Sequence, residues 1–259
     1  MNTHPLFDLT GKGALLTGAT AGMGLAMARA LGQAGARVAI CGLDADETDS
    51  AVHALLGEGI VVHSFTCDVG DRPQVERLYR VALAALGQID ILICNAGFAP
   101  PPGSLLDIDD EQWLRTQRIN LQSPHWLTSL AIPAMAERRD GVVILTASLS
   151  SVRGNKALGL YGITKAGVAQ LARNLAVEWG PHNVRVNAIS PGVIRTRFAG
   201  PMLDNPALME KRMALTPLRR VGEPEEIAGV VLMLASRAGG FITGQNLIVD
   251  GGTTISDGN

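Results

Sequence analysis

Cysteine is scarce in this sequence, and its placement argues against a metal site. The three thiols, Cys41, Cys67 and Cys94, are far apart and lack the spacing of metal ligands. Each falls in or directly after an apolar run, which predicts buried thiols in or near strands. We therefore expect no bound metal and a reducing, cytoplasmic setting.

Long apolar runs and an excess of charge of one sign are also missing. No stretch approaches the roughly 18 apolar residues of a membrane-spanning helix. The formal net charge is −2 without a long run of one sign, so we expect neither a nucleic-acid nor a membrane partner. Residues 1–10 lack the basic and apolar regions of a signal peptide, which also favours a cytoplasmic protein.

Short apolar runs alternate with helical patterns along the whole chain. The 259 residues, 47% of them hydrophobic, suit a single α/β domain over residues 1–259. This alternation predicts a Rossmann-type, doubly wound, mostly parallel sheet with helices on both faces. The seven predicted strands cover residues 13–17, 37–41, 60–65, 89–94, 142–146, 184–189 and 245–249. Predicted helices include 109–121, 123–138 and 161–179.

A glycine-rich segment follows the first predicted strand and opens a helix. Gly18, Gly22 and Gly24 lie in this segment, and a second strand follows about twenty residues on. Glycines let the backbone approach a pyrophosphate, and a helix N-terminus offers free N–H groups and a positive dipole end. We predict dinucleotide binding here; the alternative is a tight turn that binds no ligand.

Other residues with chemical potential also follow predicted strands. Gly18 follows strand one, Asp68 strand three, Asn95 strand four, Ser148 strand five and Pro191 strand six. Parallel sheets bind ligands beyond the carboxyl ends of their strands, near the point where the strand order reverses. The positions therefore predict one cleft that holds the dinucleotide and the reacting groups.

Tyr161 and Lys165 are four positions apart in a predicted helix, so their side chains share one face. An ammonium beside a phenol favours the phenolate, which suits a general acid/base near neutral pH. Ser148 lies at the exit of strand five, where its hydroxyl would hold a substrate oxygen. The alternative for Tyr161 and Lys165 is an ordinary pair on a helix surface.

Taken together, these motifs resemble those of the classical short-chain dehydrogenase/reductase family over nearly the whole chain. The one departure in the motifs is Cys94, which replaces the first Asn of an Asn-Asn-Ala-Gly motif. The matching motifs are Thr17-Gly18-x-x-x-Gly22-x-Gly24, Asn95-Ala96-Gly97, Ser148 with Tyr161-x-x-x-Lys165, Pro191-Gly192 with Thr196, and Asp250-Gly251-Gly252.

The resemblance implies an oxidoreductase that moves hydride between a nicotinamide cofactor and a carbonyl or secondary alcohol. Ser148 would polarise the substrate carbonyl, Tyr161 would transfer the proton, and Lys165 would lower the pKa of Tyr161 and hold the cofactor ribose. Asn120 matches the residue that holds a proton-relay water; otherwise it is a polar helix residue. The implied cofactor contacts are Gly18, Thr20, Ala21, Gly22, Met23, Gly24, Leu43, Asp44, Asp68, Val69, Asn95, Ala96, Gly97, Tyr161, Lys165, Pro191, Gly192, Val193 and Thr196.

The end of strand two favours NAD over NADP. In the family, an acid at the Gly42 position marks NAD enzymes, whereas an Arg at the Leu43 position or a basic residue at the Ala21 position marks NADP enzymes. All three markers are missing, so no cation is placed for a 2′-phosphate at those positions. Asp44 would repel the phosphate or accept from a 2′-hydroxyl. Its alternative role is a helix cap.

Residues 196–217, here called the lid, form an irregular segment rich in Met, Leu and Pro. Its composition predicts a mobile cover over a largely apolar small-molecule substrate. Arg153, Lys156 and Arg197 would meet an anionic group, or else they are exposed loop charges.

The resemblance further implies a homotetramer. Its contacts would be the helices near 123–138 and 161–179 and the edge of strand seven. Two rival functions are a non-catalytic dinucleotide sensor or scaffold on the same fold, and a nucleotide-sugar epimerase. The complete set of Asn120, Ser148, Tyr161 and Lys165 argues against the sensor. Epimerases usually carry a longer C-terminal substrate domain.

Overall fold

The computed structural model describes residues 4–256 and contains one seven-stranded parallel sheet, in the order β3-β2-β1-β4-β5-β6-β7. The predicted domain and N-terminal segment extend into residues 1–3 and 257–259, which lie outside the described residues. The order reverses direction between β1 and β4, as a doubly wound fold requires. The strands are β1 Gly13–Thr17, β2 Arg37–Gly42, β3 Val62–Thr66, β4 Ile91–Cys94, β5 Gly141–Thr146, β6 Val184–Pro191 and β7 Asn246–Val249.

Helices connect the strands and cover both faces of the sheet. Buried residues fall into two clusters, one on each face, because successive strand residues point to opposite sides. Leu15 and Leu92 belong to one cluster, whereas Leu16 and Ile93 belong to the other. The helices are α1 Gly22–Gln33, α2 Ala45–Gly57, α3 Arg72–Leu86, α4 Asp110–Gln117, α5 Ser123–Arg138, α6 Gly159–Trp179, α7 Gly200–Leu203, α8 Pro206–Ala214 and α9 Pro224–Ala235.

Two strands begin two residues later than predicted, for local reasons. The predicted β3 opens at residue 60, but the N–H of that residue donates to the carbonyl of Leu55 and closes the C-terminal turn of α2. Before β4, Asp90 N donates to Gly13 O at 2.8 Å, but the return bond from Gly13 N goes to the buried Asp90 carboxylate at 2.8 Å, so the side chain takes part in joining this turn to β1. An apolar run does not reveal either contact.

The lid differs from the predicted irregular segment, because most of it is helical. Gly200–Leu203 and Pro206–Ala214 form α7 and α8. The Asn205 side chain accepts from Leu208 N at 3.1 Å and caps α8. Pro206 occupies the first turn of this helix, where a missing N–H costs nothing, so it does not break the helical pattern.

The structure also bears on the predictions of buried thiols and of no membrane-spanning helix. All three thiols are free and buried: Cys41 lies in β2, Cys94 in β4, and Cys67 directly after β3. No helix in the described part of the chain is long and apolar enough to span a membrane.

Candidate active site

The glycine turn between β1 and α1 has the backbone shape that only glycine tolerates well. Gly18 and Gly22 have φ angles of +60° and +51°. A Cβ at Gly24 would lie 2.1 Å from the carbonyl oxygen of Gly18, so the turn also needs glycine for close packing. Within the described residues no side chain caps α1, and its first turn carries no acid. The free N–H groups at this terminus suit a phosphate.

Asn95 joins the ends of the three central strands behind this turn. Its Nδ2 donates to Gly18 O at 2.8 Å, and its Oδ1 accepts from Thr146 Oγ1 at 3.3 Å. Thr17 Oγ1 accepts from the backbone N–H groups of Asn95 and Ala96 at 3.1 and 3.2 Å. Thr146 is a residue of this region that the sequence analysis missed, and Thr17 was named there only as part of the glycine motif. Their position as the last residues of β1 and β5 was the available signal.

Asn120 lies in a π-helical turn, Arg118–Gln122, that joins α4 to α5. Its Oδ1 accepts from Phe98 N at 2.7 Å, and its Nδ2 donates to Phe98 O at 2.8 Å and to Thr164 Oγ1 at 3.0 Å. The side chain is fully buried and ties the segment after β4 to α6. Both amide donors are therefore engaged by protein atoms.

Ser148 and Tyr161 face each other at the carboxyl edge of the sheet. Ser148 caps a short 3₁₀ turn, Leu149–Ser151, by accepting from Ser150 N at 3.1 Å. Burial raises the pKa of Tyr161 to about 12, and a hydrogen bond with the Ser148 side chain acts in the opposite direction. The phenol is therefore protonated at neutral pH and can act as a proton donor.

Lys165 does not form an ordinary pair on a helix surface, because it is only 3% exposed. Its Nζ donates to Thr146 O at 2.7 Å and lies 5.6 Å from the centroid of the Tyr161 ring. Burial lowers the pKa of Lys165 to about 8. The predicted lowering of the Tyr161 pKa by Lys165 is not found: desolvation of the phenol dominates, while the ammonium points at the β5 carbonyl.

At the end of β2, the residues predicted to select the cofactor differ in exposure and contacts. Leu43 is 70% exposed. Asp44 caps α2, since its Oδ1 accepts from Glu47 N at 2.9 Å. A Cβ at Gly42 would lie 2.4 Å from the Thr20 methyl, so any side chain there would require Thr20 to move. The helix-cap alternative for Asp44 is therefore present in the structure.

The Asp44 cap leads to a direct test. Asp44→Ala should lower the free energy of unfolding by about 1 kcal/mol, whereas Asp44→Asn should stay within about 0.5 kcal/mol, because Asn and Asp cap equally well. Urea unfolding of both variants measures the difference. Equal losses in the two variants would show that the charge of Asp44, rather than its cap, stabilises this region.

Two more predicted contact segments reach the same edge. Cys67 N donates to Gly42 O at 2.9 Å, which brings Asp68 and Val69 beside the end of β2. After β6, Pro191 and Gly192 remain paired with β7, since Gly192 N donates to Val249 O at 2.9 Å. Val193 follows in chain order. The structure thus brings the predicted residues of every strand end to one edge.

The beginning of the lid crosses this edge. A Cβ at Gly22 would lie 2.9 Å from Thr196 Cγ2, so Thr196 packs on the glycine turn. The rings of Phe198 and Tyr161 lie 6.2 Å apart. Arg197 forms an ion pair with Glu47 at 2.6 Å, which matches its role as a loop charge rather than a substrate contact.

A family profile described as enoyl-(acyl carrier protein) reductase matches residues 18–254 of the chain. Dehydrogenase/reductase SDR family member 4 of Bos taurus is 38% identical over 245 residues, which cover 95% of this chain and 88% of that relative. The chain belongs to the short-chain dehydrogenase/reductase family. A mitochondrial relative from Homo sapiens, dehydrogenase/reductase SDR family member 2, is 37% identical over 246 residues, with coverage of 95% and 88%.

Among solved structures, a gluconate 5-dehydrogenase from Burkholderia cenocepacia in complex with NADP and tartrate aligns with a TM-score of 0.92 at 29% identity. The alignment covers 97% of this chain and 98% of that one. This short-chain dehydrogenase/reductase is accordingly an oxidoreductase of an NAD(P)-binding family.

Proposed function

We propose that the enzyme transfers hydride between a nicotinamide cofactor and a carbonyl or secondary alcohol, with Tyr161 as general acid/base. The observation that carries this proposal is the placement of Tyr161 at the edge that also carries the glycine turn, with the buried Lys165 Nζ 5.6 Å from the centroid of its ring. A carbonyl oxygen that approaches the Tyr161 and Ser148 hydroxyls would accept from each of them. Tyr161 would then supply the proton that turns the oxygen into an alcohol.

The glycine turn fits the pyrophosphate of a dinucleotide for two reasons. The first N–H groups of α1 are not capped by a side chain and can donate to phosphate oxygens. The glycines carry no side chain, so the backbone can approach the phosphates closely. When bound, the cofactor supplies or accepts the hydride. The protein holds the reacting groups: Asn95 fixes the central strand ends, Asn120 fixes the segment after β4, and Lys165 supplies a buried cation behind Tyr161.

A largely apolar ketone, aldehyde or alcohol is the substrate we favour. The lid places the Phe198 ring beside Tyr161, and the described lid residues add several flexible apolar side chains. Flexible Met and Leu side chains adapt to irregular apolar shapes. These further apolar lid residues are Met202, Leu203, Leu208, Met209 and Met213.

The deciding experiment measures NADH and NADPH oxidation with a panel of ketones and aldehydes, and NAD reduction with a panel of alcohols. An enoyl thioester belongs in the panel, since the matched profile carries the name of an enoyl reductase. Turnover of a carbonyl or alcohol supports the proposal. Cofactor binding without turnover of any compound would favour the sensor, and turnover of the thioester alone would favour reduction of a carbon–carbon double bond.

We also propose that the cofactor is NAD(H) and that the enzyme is cytoplasmic. The cofactor choice is supported by the exposed, uncharged Leu43 and by the carboxylate of Asp44 beside it. The location is supported by three free cysteines, although one relative is named as mitochondrial. Fractionation of cells from the source organism tests the location directly.

The enzyme should form a homotetramer in solution. Val177 on α6 and Ile248 on β7 are exposed apolar side chains, and β7 is an edge of the sheet. Light scattering should give the mass of four 27.2-kDa chains. Val177→Asp and Ile248→Asp should each reduce the tetramer to dimers, since closed symmetry uses two separate contacts. A wild-type monomer at micromolar concentration would contradict the assignment.

A further inference from the structure

One ion pair joins parts of the fold that are far apart both in the chain and in the sheet. Glu47 lies in the first turn of α2, and Arg197 directly follows Thr196 at the start of the lid, 150 residues later. Arg197 Nη1 donates to Glu47 Oε1 at 2.6 Å, and Nη2 donates to Oε2 at 2.8 Å. The paired fork geometry is the strongest form of a guanidinium–carboxylate contact.

The strand order shows what this ion pair crosses. Glu47 belongs to the helix after β2, and Arg197 to the segment after β6, with β1, β4 and β5 between these two strands. Four strand spacings of about 4.8 Å separate β2 from β6, a distance of about 19 Å. The lid segment therefore passes over the carboxyl ends of the central strands, where the strand order reverses.

A second contact holds the start of the lid against the glycine turn. Thr196 Cγ2 would lie 2.9 Å from a Cβ at Gly22, so the residue before Arg197 rests on the glycine turn. The lid therefore contacts the glycine turn through Thr196 and α2 through the ion pair of the next residue, Arg197. This short span of the lid lies against the glycine turn, where the proposed pyrophosphate site is.

We propose that the Glu47–Arg197 ion pair is a latch that holds the lid over the cofactor cleft and sets the rate at which the cofactor enters and leaves. This inference rests on the proposed cofactor site. The side chains of Arg197 and Glu47 are 72% and 39% exposed, so water competes for both charges. Exposed ion pairs contribute little free energy, which lets such a latch open often.

Glu47→Gln in the cofactor-free protein tests the latch without reference to activity. Hydrogen exchange across residues 196–203 should accelerate by about two- to fivefold, the range of an exposed ion pair. Arg195→Gln is the matched control, because the neighbouring Arg195 pairs at 2.9 Å with Glu223 instead of α2. The control should leave exchange in the lid unchanged. Equal exchange in wild type and Glu47→Gln would overturn the proposal.

Stopped-flow measurements of NADH binding give the second readout. In Glu47→Gln the association and dissociation rates should both rise about two- to fivefold while Kd changes less than twofold, since a latch affects passage rather than contact. Added salt should accelerate release from wild type but not from the variant. A rise in the dissociation rate alone, which raises Kd in proportion, would show that Glu47 merely contacts the cofactor, which refutes the latch.

The double variant Glu47→Arg with Arg197→Glu should restore slow exchange and slow release, because the pair is re-formed with reversed charges. Failure of the double variant to restore either property would count against the latch. If the protein binds neither NADH nor NADPH, the proposed function fails. The hydrogen-exchange result in the cofactor-free protein still decides whether the ion pair holds the lid.

Discussion

Tyr161→Phe is expected to lower turnover at least about 100-fold, the low end of what a positioned acid/base contributes. The substitution removes the proton that we assign to the reaction and keeps the ring that packs beside Phe198. Because burial raises the pKa of Tyr161 to about 12, the lost group is a protonated phenol across the neutral range. Steady-state kinetics on one carbonyl substrate with saturating cofactor measures the loss.

The other tyrosine of the chain, Tyr79, offers a matched control. Tyr79 lies on α3 within the buried core, away from the strand ends that form the site. Tyr79→Phe removes the same hydroxyl and should leave turnover within about twofold, whereas circular dichroism and NADH affinity should match wild type in both variants. Near-wild-type turnover in Tyr161→Phe would refute proton transfer by this phenol.

Features determined by local sequence were predicted well. The apolar runs located all seven strands, and the signal was strongest in β1 and β5, whose residues are all buried because helices cover both faces. Gly18 and Gly22 marked the turn between β1 and α1, since few other residues adopt their positive φ angles. Each of these features depends on residues within one turn or one strand.

Contacts between distant segments were not predictable from the sequence. The Lys165 side chain donates to Thr146 O, a contact that depends on the packing of α6 on β5. The pairing of Asn120 with Phe98 depends on the π-helical turn, for which the sequence has no signal. The bond between Glu47 and Arg197 joins residues 150 positions apart. The residues of the candidate site could therefore be named by type, whereas the hydrogen bonds and burial that surround them could not.

Cofactor choice is the second large expected effect. Wild type should prefer NADH, and Leu43→Arg should raise kcat/KM for NADPH by about 10- to 100-fold. A charge-assisted contact to a 2′-phosphate contributes about 1.5–3 kcal/mol, and about 1.4 kcal/mol corresponds to a factor of ten. Leu43 is 70% exposed, so the longer side chain is accommodated without repacking the core.

The carboxylates near Leu43 decide whether the new guanidinium would be free to bind phosphate. Asp44 accepts from Glu47 N at 2.9 Å, and Glu47 already binds both Nη atoms of Arg197. Neither carboxylate therefore needs the new cation, which leaves it available for the 2′-phosphate. Glu47→Gln combined with Leu43→Arg should change the NADPH gain by less than about twofold, because Glu47 does not compete for the introduced guanidinium in this arrangement.

Two controls separate the charge of the new residue from its size and from general electrostatics. Leu43→Gln is polar and neutral and should leave the ratio of kcat/KM for NADH and NADPH near wild type. Leu106→Arg adds the same charge at another exposed leucine, outside the β2 end, and should also leave the ratio unchanged. The measurement is this ratio for all variants on one substrate. A wild-type preference for NADPH would refute the assignment of NAD, whatever the variants did. Since Leu43 and Ala21 provide no cation, another residue would then have to hold the 2′-phosphate.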